Sequence, residues 1–202
     1  MRPEGSAGVA KSSAPSRERI VAGAADLISR RGLNAASIRE VAKHAKAPLG
    51  STYHYFPEGK QQLATEAVRH GGDAVARLLR KELEAGPVAG LRAFLGLWRG
   101  IVVQSDFRAG CPVLAVSVEE PSDAEPPPAL VAAAEAFDTW QRLLTEALCE
   151  QGVDPERAPE IAALVVAAVE GAIAMCRAQR DTQPLDRVAR QLEAVLAGAV
   201  SP

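Results

Sequence analysis

Apolar residues recur along most of this chain with the spacing of an α-helix. In the segment 17–31, for example, Ile20, Ala24, Leu27 and Ile28 share one helical face, while the remaining positions are mostly polar. The two-residue alternation of a half-buried strand is absent, so the pattern predicts an all-α fold. The predicted helices cover residues 17–31, a short pair between 37 and 56, and then about 59–84, 88–107, 112–120, 129–151, 155–180 and 185–199.

Glycine and proline separate these helices. Gly32 ends the first helix, and Gly86 with Pro87 ends the long helix that begins near Gly59. Residues 121–128 form an acidic, proline-rich loop. Residues 1–15 lack the apolar region of a secretory signal, so we interpret them as a disordered N-terminal arm. Entry of this arm into a DNA minor groove is an alternative, although the segment carries little positive charge.

Residues 37–60 read as two short helices joined by a tight turn. Ser37 and Glu40 form a capping-box pattern at the start of the first helix, with Ser16 a plausible cap of the helix before it. Pro48 suits the first position of the second helix, where its missing N–H costs nothing. Within the aromatic block that follows, we expect Phe56 to enter the core and Tyr53 and His54 to reach outward to phosphate.

A helix pair of this kind is common in helical proteins, so the pattern alone leaves DNA binding and ordinary core packing open. The charge distribution favours DNA binding. Residues 1–60 hold ten Lys or Arg and five Asp or Glu, a net charge of +5, whereas residues 61–202 carry −7. A basic N-terminal module on an acidic body is the charge pattern of a phosphate-binding domain attached to a soluble partner-binding domain.

Residues 19–72 resemble the N-terminal domain of the tetracycline-repressor (TetR) family of transcriptional regulators. RIVAGAADLISRRG resembles the first helix of the family, SIREVAKHA the first helix of the DNA-binding pair, and GSTYHYF the core of the recognition helix. Lys60 resembles the lysine that starts the fourth helix. PLGSTYHYFPEGKQQL, with GCPV at 110–113, resembles the LmrA/YxaF-like branch.

The resemblance implies a three-helix DNA-binding domain with a helix-turn-helix at residues 16–60, followed by a larger helical effector-binding and dimerisation domain at 61–202. Such a protein would be a repressor that a small apolar effector releases from a palindromic operator. The residues expected at the double-stranded DNA are Ser37, Lys46, Ala47, Pro48, Leu49, Gly50, Ser51, Tyr53, His54 and Lys60. Three positions depart from the family pattern: Lys46 replaces the usual glycine, Leu49 a basic residue, and Thr52 a larger apolar residue.

Two aromatic stripes in the second domain are candidates for an effector pocket. Each has the spacing of one helical face, one starting at Phe94 and the other at Phe137. For each residue taken singly, ordinary core packing is the favoured interpretation, and the resemblance strengthens the case for a pocket because the family generally binds small ligands in this domain. If the stripes face each other, they would line an apolar pocket with a few polar groups. The candidate pocket residues are Phe94, Trp98, Ile101, Cys111, Phe137, Trp140, Gln141, Leu144 and Glu170.

The last two predicted helices, 155–180 and 185–199, are candidates for a dimer interface. Residues 161–169 are apolar on almost every side, which is typical of a helix buried on more than one face. The two helices could simply complete a monomeric core. The resemblance implies more, because family members pair through their last two long helices, and we therefore expect a homodimer.

Other classes of protein find less support in the sequence. The three histidines are scattered, and the three cysteines lack the spacing of metal ligands, so we expect no enzyme, metal or cofactor. An odd number of cysteines without a CxxC motif favours a reducing cytoplasm. The longest apolar segment is interrupted at Glu170, so no membrane span is expected. Two alternatives stay open: a redox sensor at Cys111, if the helix start there lowers the pKa of its thiol, and a helical interaction protein that never touches DNA.

Overall fold

The computed structural model describes residues 17–119 and 126–200. Every regular element in these ranges is a helix, which confirms the predicted all-α class. The expected arm at 1–15, the proposed cap Ser16 and most of the acidic loop lie outside the described residues. The helices are α1 (Arg17–Arg31), α2 (Ile38–His44), α3 (Leu49–Tyr55), α4 (Lys60–Leu83), α5 (Pro87–Gln104), α6 (Pro112–Ser117), α7 (Pro128–Glu150), α8 (Arg157–Gln179) and α9 (Gln183–Val200).

Helices α1 to α3, called the head below, pack around a small apolar core that α4 completes. Ile20 and Ile28 from α1, Val41 from α2 and Phe56 are fully buried there, so the expectation that Phe56 enters the core is confirmed. Helix α2 crosses α1 at Gly23, where a Cβ would lie 2.9 Å from the Cβ of Ala45. The lack of a side chain at Gly23 therefore sets the distance between the two helices.

The turn between α2 and α3 is held by backbone hydrogen bonds of the Schellman type. The Ala47 amide donates to the carbonyl of Ala42 at 2.8 Å, and the Lys46 amide donates to that of Lys43 at 3.2 Å. This geometry places Lys46 in the left-handed region, at φ 51°. The sequence predicted Pro48 at the first helical position of α3. In the structure Pro48 is the N-cap residue instead, because its ψ of 134° is extended.

Helices α4 to α9, called the body below, are organised around α4, whose most extensive partner is α7. A Cβ on Gly72 would lie 2.8 Å from the Cβ of Ala136, so the two helices approach closely. The indole N–H of Trp140 donates to the carbonyl of Gly72 at 3.0 Å in the same buried contact. The glycine in α4 thus fixes the position of a tryptophan that lines the body's interior.

Several helix boundaries differ from the sequence prediction by two or three residues. Helix α5 ends at Gln104 and not at Phe107, because Asp106 and Phe107 both adopt left-handed φ values, 54° and 59°. Helix α8 begins at Arg157, two residues later than predicted. Among the described helices, α8 is long and apolar enough to cross a membrane by length and composition. Core helices meet the same criterion, and α8 packs against both α7 and α9.

Candidate nucleic-acid interface and effector cavity

The first turn of α2 is exposed and capped. Ser37 has an extended backbone, and its hydroxyl oxygen accepts a hydrogen bond from the amide of Glu40 at 3.2 Å. The Ser37 half of the predicted capping box is therefore present, whereas the described contacts include no return hydrogen bond to the Glu40 side chain. Exposed amides at a helix N-terminus favour phosphate oxygens, so the position is suited to contact a DNA backbone.

The outward face of α3 is formed by exposed residues. Leu49 and Gly50 begin it, and Tyr53 and His54 continue it one turn later; Tyr53 is 55% exposed. A Cβ on Gly50 would meet no described atom within 4 Å, so packing within the protein does not explain the glycine. Buried Thr52 anchors the opposite face, and its hydroxyl donates to the carbonyl of Pro48 at 3.1 Å.

Not every residue expected at the DNA is exposed. Ala47 is half-buried and packs against the core, so only part of its surface is accessible to DNA. Ser51 and Lys60 are also half-buried and lie at the border of the exposed face, whereas Lys46 and Pro48 are exposed. Leu49, Gly50, Tyr53 and His54 remain as the most accessible group on α3.

Two exposed basic residues of α2 were missing from the sequence prediction. Arg39 and Lys43 are one helical turn apart on the solvent side of α2. Their signal in the sequence was a basic pair at i and i+4, opposite the apolar stripe that contains Ile38 and Val41. They add positive charge beside the exposed residues of α3.

Short polar contacts hold α1 to its neighbours. Asp26 accepts a hydrogen bond from Arg30 at 2.8 Å, and its carboxylate lies 2.7 Å from the ring nitrogen Nε2 of His44 in α2. At the other end of α1, Arg17 pairs with Glu66 of α4 at 2.5 Å and lies over the ring of Phe56. The contact of His44 therefore ties α2 to α1, and the pair of Arg17 with Glu66 ties α1 to the body.

The body contains an apolar cavity between α4, α5, α7 and α8. It leaves about 20 Å³ of space, which is close to the room that one water molecule needs. Both tryptophans of the protein lie in its wall. The lining residues are Val75, Leu79, Leu91, Phe94, Trp98, Trp140, Leu144, Val165, Val166, Val169 and Glu170.

Five of the nine predicted pocket residues line this cavity: Phe94, Trp98, Trp140, Leu144 and Glu170. Ile101 does not, because it lies on the outer side of α5 and is 41% exposed. Phe137 stacks edge-on against Trp140 behind the wall, and the amide of Gln141 lies 3.4 Å from the carbonyl of Phe137. The valines of α8 were missed because the apolar run in that helix was assigned to the dimer interface.

Glu170 is the charged residue of the cavity wall. It is 7% exposed, and its Oε2 has no hydrogen-bond partner in the described parts of the chain. Burial raises the pKa of its carboxyl group to about 7, although a hydrogen bond with the Cys111 thiol acts in the opposite direction. Cys111 lies beside the cavity rather than in its lining.

The environment of Cys111 contradicts the expectation of a lowered thiol pKa. Burial, with the neighbouring Glu170 carboxylate, raises the pKa of the Cys111 thiol well above its usual value. Protonated, buried thiols react slowly with oxidants, so the redox-sensor alternative loses its physical basis. Cys111, Cys149 and Cys176 form no disulfide in the structure.

The segment that begins with Gly110 connects the head, the cavity and α4. Arg177 of α8 passes over Gly110 and donates to the carbonyl oxygens of Ser29 at 3.0 Å and Arg30 at 3.1 Å, in the last turn of α1. A Cβ on Gly110 would lie 2.5 Å from the Arg177 guanidinium. Two residues on, Pro112 packs over α4 at Gly71, where a Cβ would lie 2.5 Å from its ring.

Family comparisons agree with this arrangement of a helix-turn-helix head on a helical body. The model of bacterial regulatory proteins of the tetR family matches residues 20–67. The model of the C-terminal domain of LmrA/YxaF-like transcriptional regulators matches residues 87–191, about half of the chain. The chain belongs to the TetR family. It is a DNA-binding transcriptional regulator with an LmrA/YxaF-like C-terminal domain.

Relatives of the TetR family match most of the chain. A helix-turn-helix transcriptional regulator of Mycobacterium tuberculosis is 44% identical over 89% of this chain and 93% of its own length. LmrA of Bacillus subtilis is 31% identical over 84% of this chain and 90% of its own. A TetR regulatory protein from Rhodobacter sphaeroides shares the fold, with a TM-score of 0.78 at 24% identity over 88% of this chain and 96% of that one.

The described residues of this TetR-family chain give little support for metal binding or catalysis. Residues 17–119 and 126–200 contain no group of three His, Cys, Asp or Glu side chains that could hold a metal ion. TetR-family proteins are transcriptional regulators and are generally not enzymes. The candidate site therefore consists of two parts, an exposed face on the head and a small apolar cavity in the body.

Proposed function

We propose that this protein is a cytoplasmic homodimeric repressor that a small apolar effector releases from a near-palindromic operator. Residues 16–60 would bind DNA, and residues 61–202 would hold the effector and the dimer interface. The observation that carries the proposal is the double role of α8. The same helix lines the cavity and holds the last turn of α1 through Arg177.

The exposed face of the head supports the DNA-binding part of the proposal. Leu49, Tyr53 and His54 project from α3, and Gly50 allows its backbone to approach a groove closely. Leu49 replaces a charged side chain by an apolar one, which suits contact with a thymine methyl group. Ser37 and Lys60 would hold phosphates on either side, so positioning and reading fall to different residues.

An apolar stripe on α8 supports the homodimer. Leu164 and Met175 are each 49% exposed, and small residues occupy the same side between them. A Cβ on Gly171 in this stripe would meet no described atom within 4 Å, so packing within one subunit does not require this glycine. A second copy of α8 could lie close at this point, and twofold symmetry would separate the two heads by about one DNA turn.

The dimer is tested with Leu164→Asp. Because each subunit of a twofold dimer contributes the same substitution, two carboxylates would be buried in the shared apolar surface. We expect sedimentation to show dissociation to monomers and a gel shift to show loss of operator binding. Val118→Asp is the matched control, because Val118 is 74% exposed and lies outside α8 and α9. A wild-type protein that sediments as a monomer at micromolar concentration would contradict the dimer.

The contact between Arg177 and α1 supports a switch driven by the cavity. Glu170 lies two helical turns before Arg177 on α8, so both residues are on the same side of one rigid helix. With about 20 Å³ available, a ligand must displace the wall to enter. A shift of α8 would move the guanidinium that holds Ser29 and Arg30, and the head would lose its DNA-competent orientation.

The switch is tested with a DNA fragment taken from upstream of the gene that encodes the protein. Apolar compounds that quench Trp98 and Trp140 are selected first, and each is then added to the operator complex. We expect them to weaken the complex in the wild type and to weaken it much less in Arg177→Ala and Gly110→Ala. Arg142→Ala is the control, because Arg142 pairs with Glu146 on the exposed side of α7. Quenchers that leave operator affinity unchanged would refute the switch.

A further inference from the structure

The wall of the cavity combines a buried carboxylate with aromatic rings. Glu170 is the charged group among lining residues that are otherwise apolar, and its Oε2 is unpartnered within residues 17–119 and 126–200. An unpaired charge in an apolar environment is unfavourable, because it loses hydration without gaining a partner. A ligand that supplies the missing partner would therefore gain more at Glu170 than elsewhere in this cavity.

We propose that the cavity selects an apolar ligand that carries a cationic nitrogen, and that Glu170 is the residue that makes this selection. This proposal rests on the proposed effector-binding function of the body. It specifies the class of effector through the group that would pair with the carboxylate.

The aromatic neighbours favour a cation over a neutral donor. Phe94 and Trp98 pack edge-to-face with ring centroids 6.5 Å apart, and Trp140 joins them in the wall. The indole N–H of Trp140 is already bonded to the carbonyl of Gly72, so what Trp140 can offer a ligand is its ring, through apolar and cation–π contacts. Aromatic rings beside a carboxylate form the kind of site that binds an organic ammonium group.

The state of Glu170 agrees with this selection. Burial raises the pKa of its carboxyl group to about 7, since no cation in the described chain compensates its charge. The nearest titratable neighbour is the Cys111 thiol, whose pKa is raised well above its usual value and which therefore stays neutral. A bound cation would stabilise the ionised carboxylate that the ligand-free protein holds at a cost.

The test uses two probes of equal shape. Benzyltrimethylammonium carries a fixed positive charge, and neopentylbenzene is its uncharged carbon isostere. Fluorescence of the protein reports binding, because both tryptophans lie in the cavity wall. We expect the wild type to bind the cation about tenfold more tightly than the isostere. Glu170→Gln should lose this preference and still bind the isostere, whereas Glu170→Asp should retain it.

Leu144→Ala is the matched cavity variant, because it changes the volume of the cavity without changing its charge. It should alter the affinity of both probes by the same factor. The proposal is overturned if the wild type binds the two probes equally, if Glu170→Gln keeps the preference, or if the cation fails to bind at millimolar concentration. Circular dichroism shows whether each variant is folded.

Operator binding separates this proposal from the proposed function. If the isostere quenches the tryptophans and releases the operator but the cation does neither, the selection is wrong and the switch stands. If the cation binds with a preference that depends on Glu170 but the operator complex is unaffected, the selection stands and the switch is wrong.

Discussion

The head and the cavity differ in where they keep their charge. In the head, basic side chains such as Arg39, Lys43 and Lys46 lie on the surface around an apolar core. In the cavity, one carboxylate is buried among apolar and aromatic side chains. The surface charges are hydrated and need no partner within the protein, whereas the buried carboxylate is unstable until something pairs with it.

This difference implies that the head and the cavity respond differently when they bind a partner. A rigid head with exposed charge can bind an anionic polymer without changing shape, so its contacts are ready before DNA arrives. A tight cavity with an uncompensated charge must rearrange when a ligand enters, and rearrangement is what a switch requires. If this comparison holds, a change in the stability, charge or backbone strain of one region should leave the other region unaffected.

The largest effect is expected from Phe56→Ala. Phe56 is fully buried between the three helices of the head, and truncation of a buried phenylalanine costs about 3–5 kcal/mol. We expect the head to unfold and operator binding to be lost for every sequence. Tryptophan fluorescence should report a folded body, because both tryptophans are in the body.

Phe137→Ala is the matched truncation, since Phe137 is half-buried and packs against Trp140. It should change tryptophan fluorescence and leave operator binding nearly intact. If Phe56→Ala instead shifts the unfolding of the body by the same amount as that of the head, the two regions fold as one unit and the comparison fails.

A second prediction concerns the pH dependence of stability at Glu170. Its pKa is about 7 in the folded protein against an ordinary value of 4.5, so the folded state holds the proton more tightly. The contribution of Glu170 to the free energy of unfolding is therefore highest below pH 4.5. This contribution is lost as pH rises from 4.5 through 7, and the total loss is about 3 kcal/mol.

Glu170→Gln removes this titration. Urea unfolding at equal protein concentration should show the variant gaining about 2–3 kcal/mol on the wild type between pH 5 and pH 8. The Cys111 thiol stays protonated throughout, because its pKa lies well above this range. Parallel stability curves for the two proteins would mean that the carboxylate is compensated after all.

Much of the fold followed from apolar periodicity. The bounds of α1 were predicted to the residue, and the later helices within a few residues, because each has one continuous apolar face. The end of α5 was missed because Asp106 and Phe107 carry no glycine signal for their left-handed backbone. In the sequence, Phe107 continues the apolar pattern of α5. In the structure, Asp106 pairs with Arg180 at 2.7 Å, a tertiary contact at the turn that ends the helix.

The site was less predictable than the fold. Helical spacing brought Phe94, Trp98 and Trp140 to the cavity, but it also suggested Ile101, since spacing does not say which side of a helix faces inward. The role of Arg177 could not be found in the sequence at all. It depends on two carbonyls about 150 positions away and on the room that Gly110 leaves.

A smaller effect is expected from Lys60→Ala. If Lys60 at the start of α4 holds a phosphate, its removal should weaken binding to operator and unrelated DNA alike, by about tenfold, and reduce the salt slope of the affinity by about one. Fluorescence anisotropy at several salt concentrations measures both quantities. Lys81→Ala is the matched control, because Lys81 is exposed in the last turn of the same helix. Equal slopes for the two variants would remove Lys60 from the interface.

The smallest effect separates charge from backbone strain at a single residue. Lys46 has φ 51°, a conformation that costs a residue with a side chain about 1 kcal/mol and that glycine adopts without penalty. Lys46→Gly and Lys46→Ala remove the same charge, so operator affinity should fall equally in both. Thermal unfolding should show a gain of about 1 kcal/mol in Lys46→Gly alone, since alanine retains the strain. If the two variants are equally stable but differ in operator affinity, the turn between α2 and α3 changes shape when DNA binds. The head would then not be rigid.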